Sequence, residues 1–181
     1  MSATLSRAYA GIGNRDTPEF YLSKMRKIAA LMELRGYVLR SGGADGADTA
    51  FYDGLVNKSN SEIFVPWDGF NNNLIKANIP PEAFRIAENF VRNFQDIPQS
   101  VQKLFARNVQ QVLGKNLDSP SEFIICYTRD GYTGPNDRSF HTGGTKVAID
   151  IAASMNIPVF NLKRTDHHNK VVNYFNDDYV L

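Results

Sequence analysis

A single cysteine, Cys126, stands among the 181 residues, so the chain can form no internal disulfide and can assemble no cysteine-rich zinc site. A reducing compartment follows as the simple expectation. No apolar run approaches the roughly 18–20 residues that a membrane-spanning helix needs, and the polar N-terminus lacks the basic and apolar regions of a signal peptide. We therefore expect a cytoplasmic protein with no membrane partner. An excess of one charge is lacking as well: Lys and Arg number 20 against 19 Asp and Glu, a formal net charge of +1. No bulk field favours nucleic acid, which is not expected as a partner on this ground; any anion site has to be local. Internal repeats and low-complexity segments are absent too. What is abundant is apolar surface: a hydrophobic fraction of 43%, with twelve Phe and eight Tyr, is enough for a packed interior and excludes a disordered chain. The length fits one domain spanning 1–181.

The pattern along the chain is strand, glycine-rich loop, helix, repeated. Arg7 to Gly13 reads as a strand running into Gly11-Ile12-Gly13-Asn14-Arg15, after which Thr17 can cap a helix beginning at Pro18. Tyr21, Met25, Ile28, Ala29 and Met32 fall at helical spacing, and Gly36 supplies the stop. A second strand begins at Tyr37 and runs into Ser41-Gly42-Gly43-Ala44-Asp45-Gly46-Ala47-Asp48, followed by a helix carrying Ala50, Phe51 and Leu55. Ser61 to Val65 is a third strand. Between Pro80 and Gly114 two helices are expected on either side of Pro98, with stripes from Ala83 to Phe94 and from Val101 to Val112. Phe123 to Tyr127 is a fourth strand, 128–142 a long polar loop, and Ile157 to Leu162 a fifth strand after a helix carrying Val147, Ala148, Ile151 and Ala152. The tail from Lys163 shows no decisive period. Such alternation predicts an α/β, Rossmann-like, doubly wound fold: a mainly parallel five-stranded sheet in the order 3-2-1-4-5, in three layers, with the two-helix segment between strands three and four.

In an open parallel sheet, ligands bind beyond the carboxyl ends of the strands, where loops expose backbone donors and helix N-termini attract anions. Three loops have that placement. Gly11, Gly13, Asn14 and Arg15 offer close backbone approach and a fixed cation; the dinucleotide fingerprint would need a third glycine at position 16, where Asp16 stands, so no NAD-type cofactor is expected. In the second loop Gly42 and Gly43 permit close approach, Ser41 can donate a hydrogen bond, and Asp45 or Asp48 can accept from ribose hydroxyls, although Asp48 can equally brace its own helix. The third loop, Thr142-Gly143-Gly144-Thr145, opens a helix whose free N–H groups suit phosphate. Arg107 is a charge hard to place in a purely structural role, and Asn108 is the one polar member of the face 101, 104, 105, 108, 112, to be satisfied either by a ligand or by a neighbouring loop. The loop 128–142 is long enough for a lid, and Trp67 and Phe70, just past the third strand, can stack on a base or pack an interface, core or interface packing being the simpler reading. Nothing suggests a metal.

Gly11-Ile-Gly-Asn-Arg15, Ser41-Gly-Gly-Ala-Asp-Gly-Ala-Asp48, Gly143-Gly-Thr145 and Ile157-Pro-Val-Phe-Asn161 together resemble the SLOG superfamily. That superfamily includes the Lonely Guy cytokinin phosphoribohydrolases, the DNA-processing protein A recombination mediators and nucleotide-signal sensors of bacterial immunity. The resemblance runs from about Arg7 to Leu162 and is strongest to small stand-alone members, many from bacteriophages. It implies a Rossmann-like fold and a phosphorylated nucleotide-type ligand. The Lonely Guy enzymes carry an arginine before the fourth strand, matched here by Arg107, and a catalytic glutamate three residues after the Gly-Thr threonine, where this chain has Ala148. Asp150 lies about 200° further round the helix and is expected instead to form an exposed pair with Lys146.

Lacking that carboxylate, the chain is expected to bind a nucleotide-type small molecule, such as an ADP-ribose-like or cyclic nucleotide signal, for sensing or sequestration without hydrolysis; phage counter-defence is one such use by family analogy. Two alternatives stay open. One is an N-glycosidase acting on a nucleoside monophosphate through Asp45, Asp48, Asp130 or His141; the other is a single-strand DNA-binding recombination mediator, ranked lowest because the chain is near neutral. A homodimer is expected from the large apolar residues of the helices after strand three.

Overall fold

The computed structural model describes residues 7–140 and 142–176. Five strands form one parallel sheet in the order β3-β2-β1-β4-β5: β1 (Ala8–Gly13), β2 (Val38–Ser41), β3 (Ser61–Ile63), β4 (Ile124–Tyr127) and β5 (Val159–Asn161). The expected order is the observed one. Because successive side chains of a strand point to opposite faces, β1 sends Ala10 and Ile12 into one core and Tyr9 into the other, and β4 divides Ile124 and Cys126 from Ile125 and Tyr127 in the same way. Both faces are therefore apolar and both need cover. Helices α1 (Glu19–Leu34), α2 (Ala47–Gly54) and α6 (Thr165–Asn176) cover the Tyr9 face, through Met25, Ile28, Ala29, Met32, Phe51 and Val171. Helices α3 (Pro81–Glu88), α4 (Gln99–Leu113) and α5 (Thr145–Ser154) cover the other, through Ala83, Ala87, Ala106, Val109, Val147 and Ile151.

Local differences from the expected elements have physical causes. The Thr17 hydroxyl turns back to donate to the Asn14 carbonyl at 2.6 Å, so Pro18, with no side-chain cap bond, precedes α1. Gly36 stops α1 with φ +78°, a region that suits glycine. The stripe expected to run to Phe94 leaves the helix after Glu88: Asn93 sits at φ +53°, and Phe94 begins a short 3-10 turn, yet it remains buried. Helix α6 was not foreseen in the tail. It buries Val171 alone among its described hydrophobic residues and docks by polar contacts, the Asn161 N–H donating to His167 Nδ1 at 3.1 Å, so it carries no apolar period to read. Of the large apolar groups after β3, on which the homodimer expectation leaned, Phe84, Ile86, Phe90 and Val91 are half-buried and pack against the core of the same chain. Among the described residues, no helix is long and apolar enough to cross a membrane.

Candidate functional site

Strand order reverses at β1, whose chain returns to β2 on one side while β4 lies on the other, and the crevice beyond the carboxyl ends of these strands is where such sheets take ligands. A cavity of about 430 Å³ opens there, within the range of small-molecule sites. Around it the structure gathers Gly13, Asn14 and Arg15 from the first loop, Asp48 from α2, Arg107 and Asn108 from α4, and Gly143, Gly144 and Thr145 from the third. Gly13 leaves no room for a side chain, since a Cβ would come within 2.7 Å of the Tyr127 carbonyl.

Arg107 is the centre of this wall. It is 5% exposed, with Nη1 at 3.5 Å from Asp48 Oδ2. Burial is the largest influence on both groups, pushing the Asp48 carboxyl up and the Arg107 guanidinium down, while their mutual attraction restrains each shift. In the amide orientation that satisfies its neighbours, Gln111 accepts from Arg107 Nη1 at 3.1 Å and from the Gly42 N–H at 3.0 Å, and donates to Asn108 Oδ1 at 3.1 Å. Arg107 Nε–H is buried and has no acceptor among the described residues. Opposite it, α5 begins with no side-chain cap, Gly143 at φ +67° turning the chain into the helix. Asn108 Nδ2 donates to the Gly144 carbonyl at 2.9 Å and so ties α4 to that N-terminus. This answers the question of its partner in favour of a neighbouring loop, although the residue still faces the cavity. An exposed ion pair between Asp16, another cavity residue, and Arg129 joins the first loop to the segment after β4.

Six expected site residues lie elsewhere or are otherwise engaged. Gly11 is a packing glycine, since a Cβ would meet Leu39 and Phe51 at 2.7 Å. The Ser41 hydroxyl is buried and donates to the Gly11 carbonyl at 2.6 Å, which leaves no hydroxyl for a ligand. The Gly42 N–H donates to Asp48 Oδ2 at 3.1 Å, and its missing side chain makes the space that the Arg107 guanidinium fills. Gly43 faces Asn73, Ile63 and Val65, and exposed Asp45 accepts from Asn71 Nδ2 at 2.8 Å. Thr142 is buried and donates to Asp130 Oδ2. Asp48 itself braces the second loop, its Oδ2 accepting from the Gly42 and Ala44 N–H groups, so that oxygen is committed to protein donors.

The described residues of the long loop after β4 pack on the body of the domain rather than over the cavity. Tyr132 is buried and donates to Asp150 Oδ1 at 2.6 Å, Arg164 donates to the Gly131 carbonyl at 2.8 Å and pairs with Asp137 at 2.7 Å, and no described residue of the loop lines the cavity. Asp150 does pair with Lys146, but the pair is not fully exposed as expected: the carboxylate is buried and the ammonium half-exposed. Ala148 is fully buried in the core with Ile12 and Val109 and does not line the cavity, so a carboxylate at this position would enter apolar packing. Of the carboxylates and histidine considered for hydrolysis, Asp130 holds Thr142 and the Phe140 N–H, and His141 lies outside the described residues.

Sequence reasoning missed the rest of the cavity wall: Ile12, Asp16, Ala44, Val101, Leu104, Phe105 and Gln111. Positions 101, 104, 105 and 108 form one helical face, which reads as core; the signal that it is a cavity wall was a second amide, Gln111, one turn beyond Asn108.

The fold defines a Rossmann-like α/β protein, with a cavity at the switch point of the sheet. No family model and no curated protein sequence matches the chain. Among solved structures it is similar to DNA processing protein A from Helicobacter pylori, with a TM-score of 0.56 and 18% identity, over 96% of this chain and 80% of that one. That structure is described for its single-stranded DNA binding mode. The expectation that set nucleic acid aside on net charge is therefore corrected, since a protein of the same fold binds it. Whole-chain neutrality does not exclude local cations: Arg15 and Arg107 line one cavity, beside Asp16 and Asp48.

Proposed function

We propose that the protein binds single-stranded nucleic acid, with the phosphate of one nucleotide unit seated between Arg15, Arg107 and the N-terminus of α5. The observation that carries this reading is the buried Arg107 Nε–H without an acceptor among the described residues. Leaving a buried donor unpaired costs about 1–3 kcal/mol, and a shift of the guanidinium toward a phosphate oxygen in the cavity would remove that penalty. The uncapped α5 N-terminus adds backbone donors and a favourable dipole, and Arg15 supplies a cation at the mouth. The resemblance of the glycine loops to the SLOG superfamily, which contains the DNA-processing proteins, supports the same reading.

A second reading uses the same wall for a free nucleotide-type small molecule held for sensing or sequestration. The cavity volume favours it, since about 430 Å³ accommodates a ligand of that class. Titrating a labelled oligothymidylate against the protein at several salt concentrations tests the first reading. Wild type should bind with a strong salt dependence, and Arg15→Ala, an exposed change that leaves the fold alone, should weaken binding and reduce the slope of log K against log salt by about 0.7. Identical curves for the two proteins, or no binding by wild type, would reject the strand reading. A mononucleotide that binds where the strand does not would favour the second.

A further inference from the structure

We propose that Trp67 is a base-stacking platform beside the phosphate site, so that the protein recognises a nucleobase as well as the backbone; this rests on the strand-binding reading above. Trp67 and Phe70 lie side by side after β3, at the same end of the sheet as the cavity, but the structure gives them different work. Phe70 is buried with Ala44 and Val65, and its ring lies below both cations: the guanidinium carbon of Arg15 is 5.8 Å from its centroid and that of Arg107 is 5.7 Å away. Trp67 meets Phe70 at right angles with centroids 5.2 Å apart and remains 36% exposed. No more than about 11 Å thus separates the indole from the Arg15 guanidinium, a gap that a nucleotide unit bridges from phosphate to base.

The turn that presents the indole is braced, so little ordering is required on binding. Asp68 Oδ1 accepts from the Ala77 N–H at 2.9 Å, and Asn71 Nδ2 donates to the Gly43 carbonyl and to Asp45, clamping this turn onto the loop after β2. A rigid, half-exposed aromatic ring next to paired cations is the combination by which proteins hold single strands with little sequence preference.

Trp67 is the only tryptophan, so its emission reports the contact directly. A thymidine oligonucleotide should quench wild-type fluorescence along the same curve that anisotropy of the labelled strand follows. An abasic strand of equal length should bind more weakly and leave the emission unchanged. In anisotropy, Trp67→Ala should lose roughly tenfold in affinity for the thymidine strand, none for the abasic one, and Trp67→Phe should keep most of the affinity. If the strand binds without quenching, or Trp67→Ala binds both strands as wild type does, the platform is rejected while the phosphate site stands. Failure of wild type to bind either strand removes both.

Discussion

At the scale of single residues, the candidate site depends on what is absent at Gly42. The Arg107 guanidinium occupies the space that any side chain there would take, a Cβ falling 1.3 Å from Nη1. The adjacent Gly42 N–H helps hold Asp48, the guanidinium's partner, so one backbone position serves both halves of the ion pair. Gly42→Ala should therefore force the guanidinium away from Asp48 rather than strain the backbone. We expect a loss of about 1–3 kcal/mol in urea unfolding, as for overpacking elsewhere, with a fall in strand affinity of roughly tenfold or more from the lost charge-assisted contact. Arg15 makes the contrast: it is exposed, and its replacement should change affinity alone. Unaltered stability and affinity in Gly42→Ala would show that Arg107 has another place to go.

At the scale of elements, α6 is attached to the sheet by groups that titrate. His167 is partly buried, its Nδ1 accepting from the first N–H of the Asn161 corner, and burial, the largest influence, lowers its pKa below the usual histidine value. Asp166 opposes this shift, while Arg164 and Lys170 reinforce it. The folded state thus favours the neutral ring, and the unfolded state takes up a proton at about pH 6.5. Stability from this contact is complete above that value and is lost as pH falls toward the lowered folded value. Urea midpoints taken at about pH 7.5 and about pH 5.5 should show the decline, and it should shrink in His167→Asn, whose amide oxygen can accept the same bond at either pH. An equal decline in both proteins would assign the pH dependence to other groups.

At the scale of the molecule, the two ends of the sheet differ in construction. The carboxyl end carries the cavity, the unpaired Arg107 Nε–H and the open start of α5. The amino end is closed by a polar cluster in which Arg7 and Tyr37 both donate to Glu122, and Arg7 holds that carboxyl below its usual range. Ligand should therefore act at one end only. Hydrogen exchange with and without a thymidine oligonucleotide should slow at 13–16, 143–146 and the part of α4 that lines the cavity, leaving the amides around Tyr37 and Glu122 unchanged. Uniform slowing would indicate global stabilisation instead of a local site.

Alternating apolar strands and glycine-ended loops were enough to specify a parallel sheet in the order β3-β2-β1-β4-β5, because period, handedness of crossovers and short connections leave few other arrangements. They also placed Gly13, Arg15 and Gly143 after strands that the sheet sets side by side. Chain order could not say how each polar group is spent. Ser41, Gly42 and Thr142 sit in the same kind of loop as Gly13 and Gly144, yet their donors are taken by Gly11, Asp48 and Asp130, partners that only folding brings within reach. The inverse holds for Val101, Leu104 and Phe105, whose spacing states that they share a face but not whether that face meets the sheet or a cavity. Local periodicity determines which residues point together; tertiary packing decides what they point at, because hydrogen-bond partners and empty space are properties of segments that are distant in the chain.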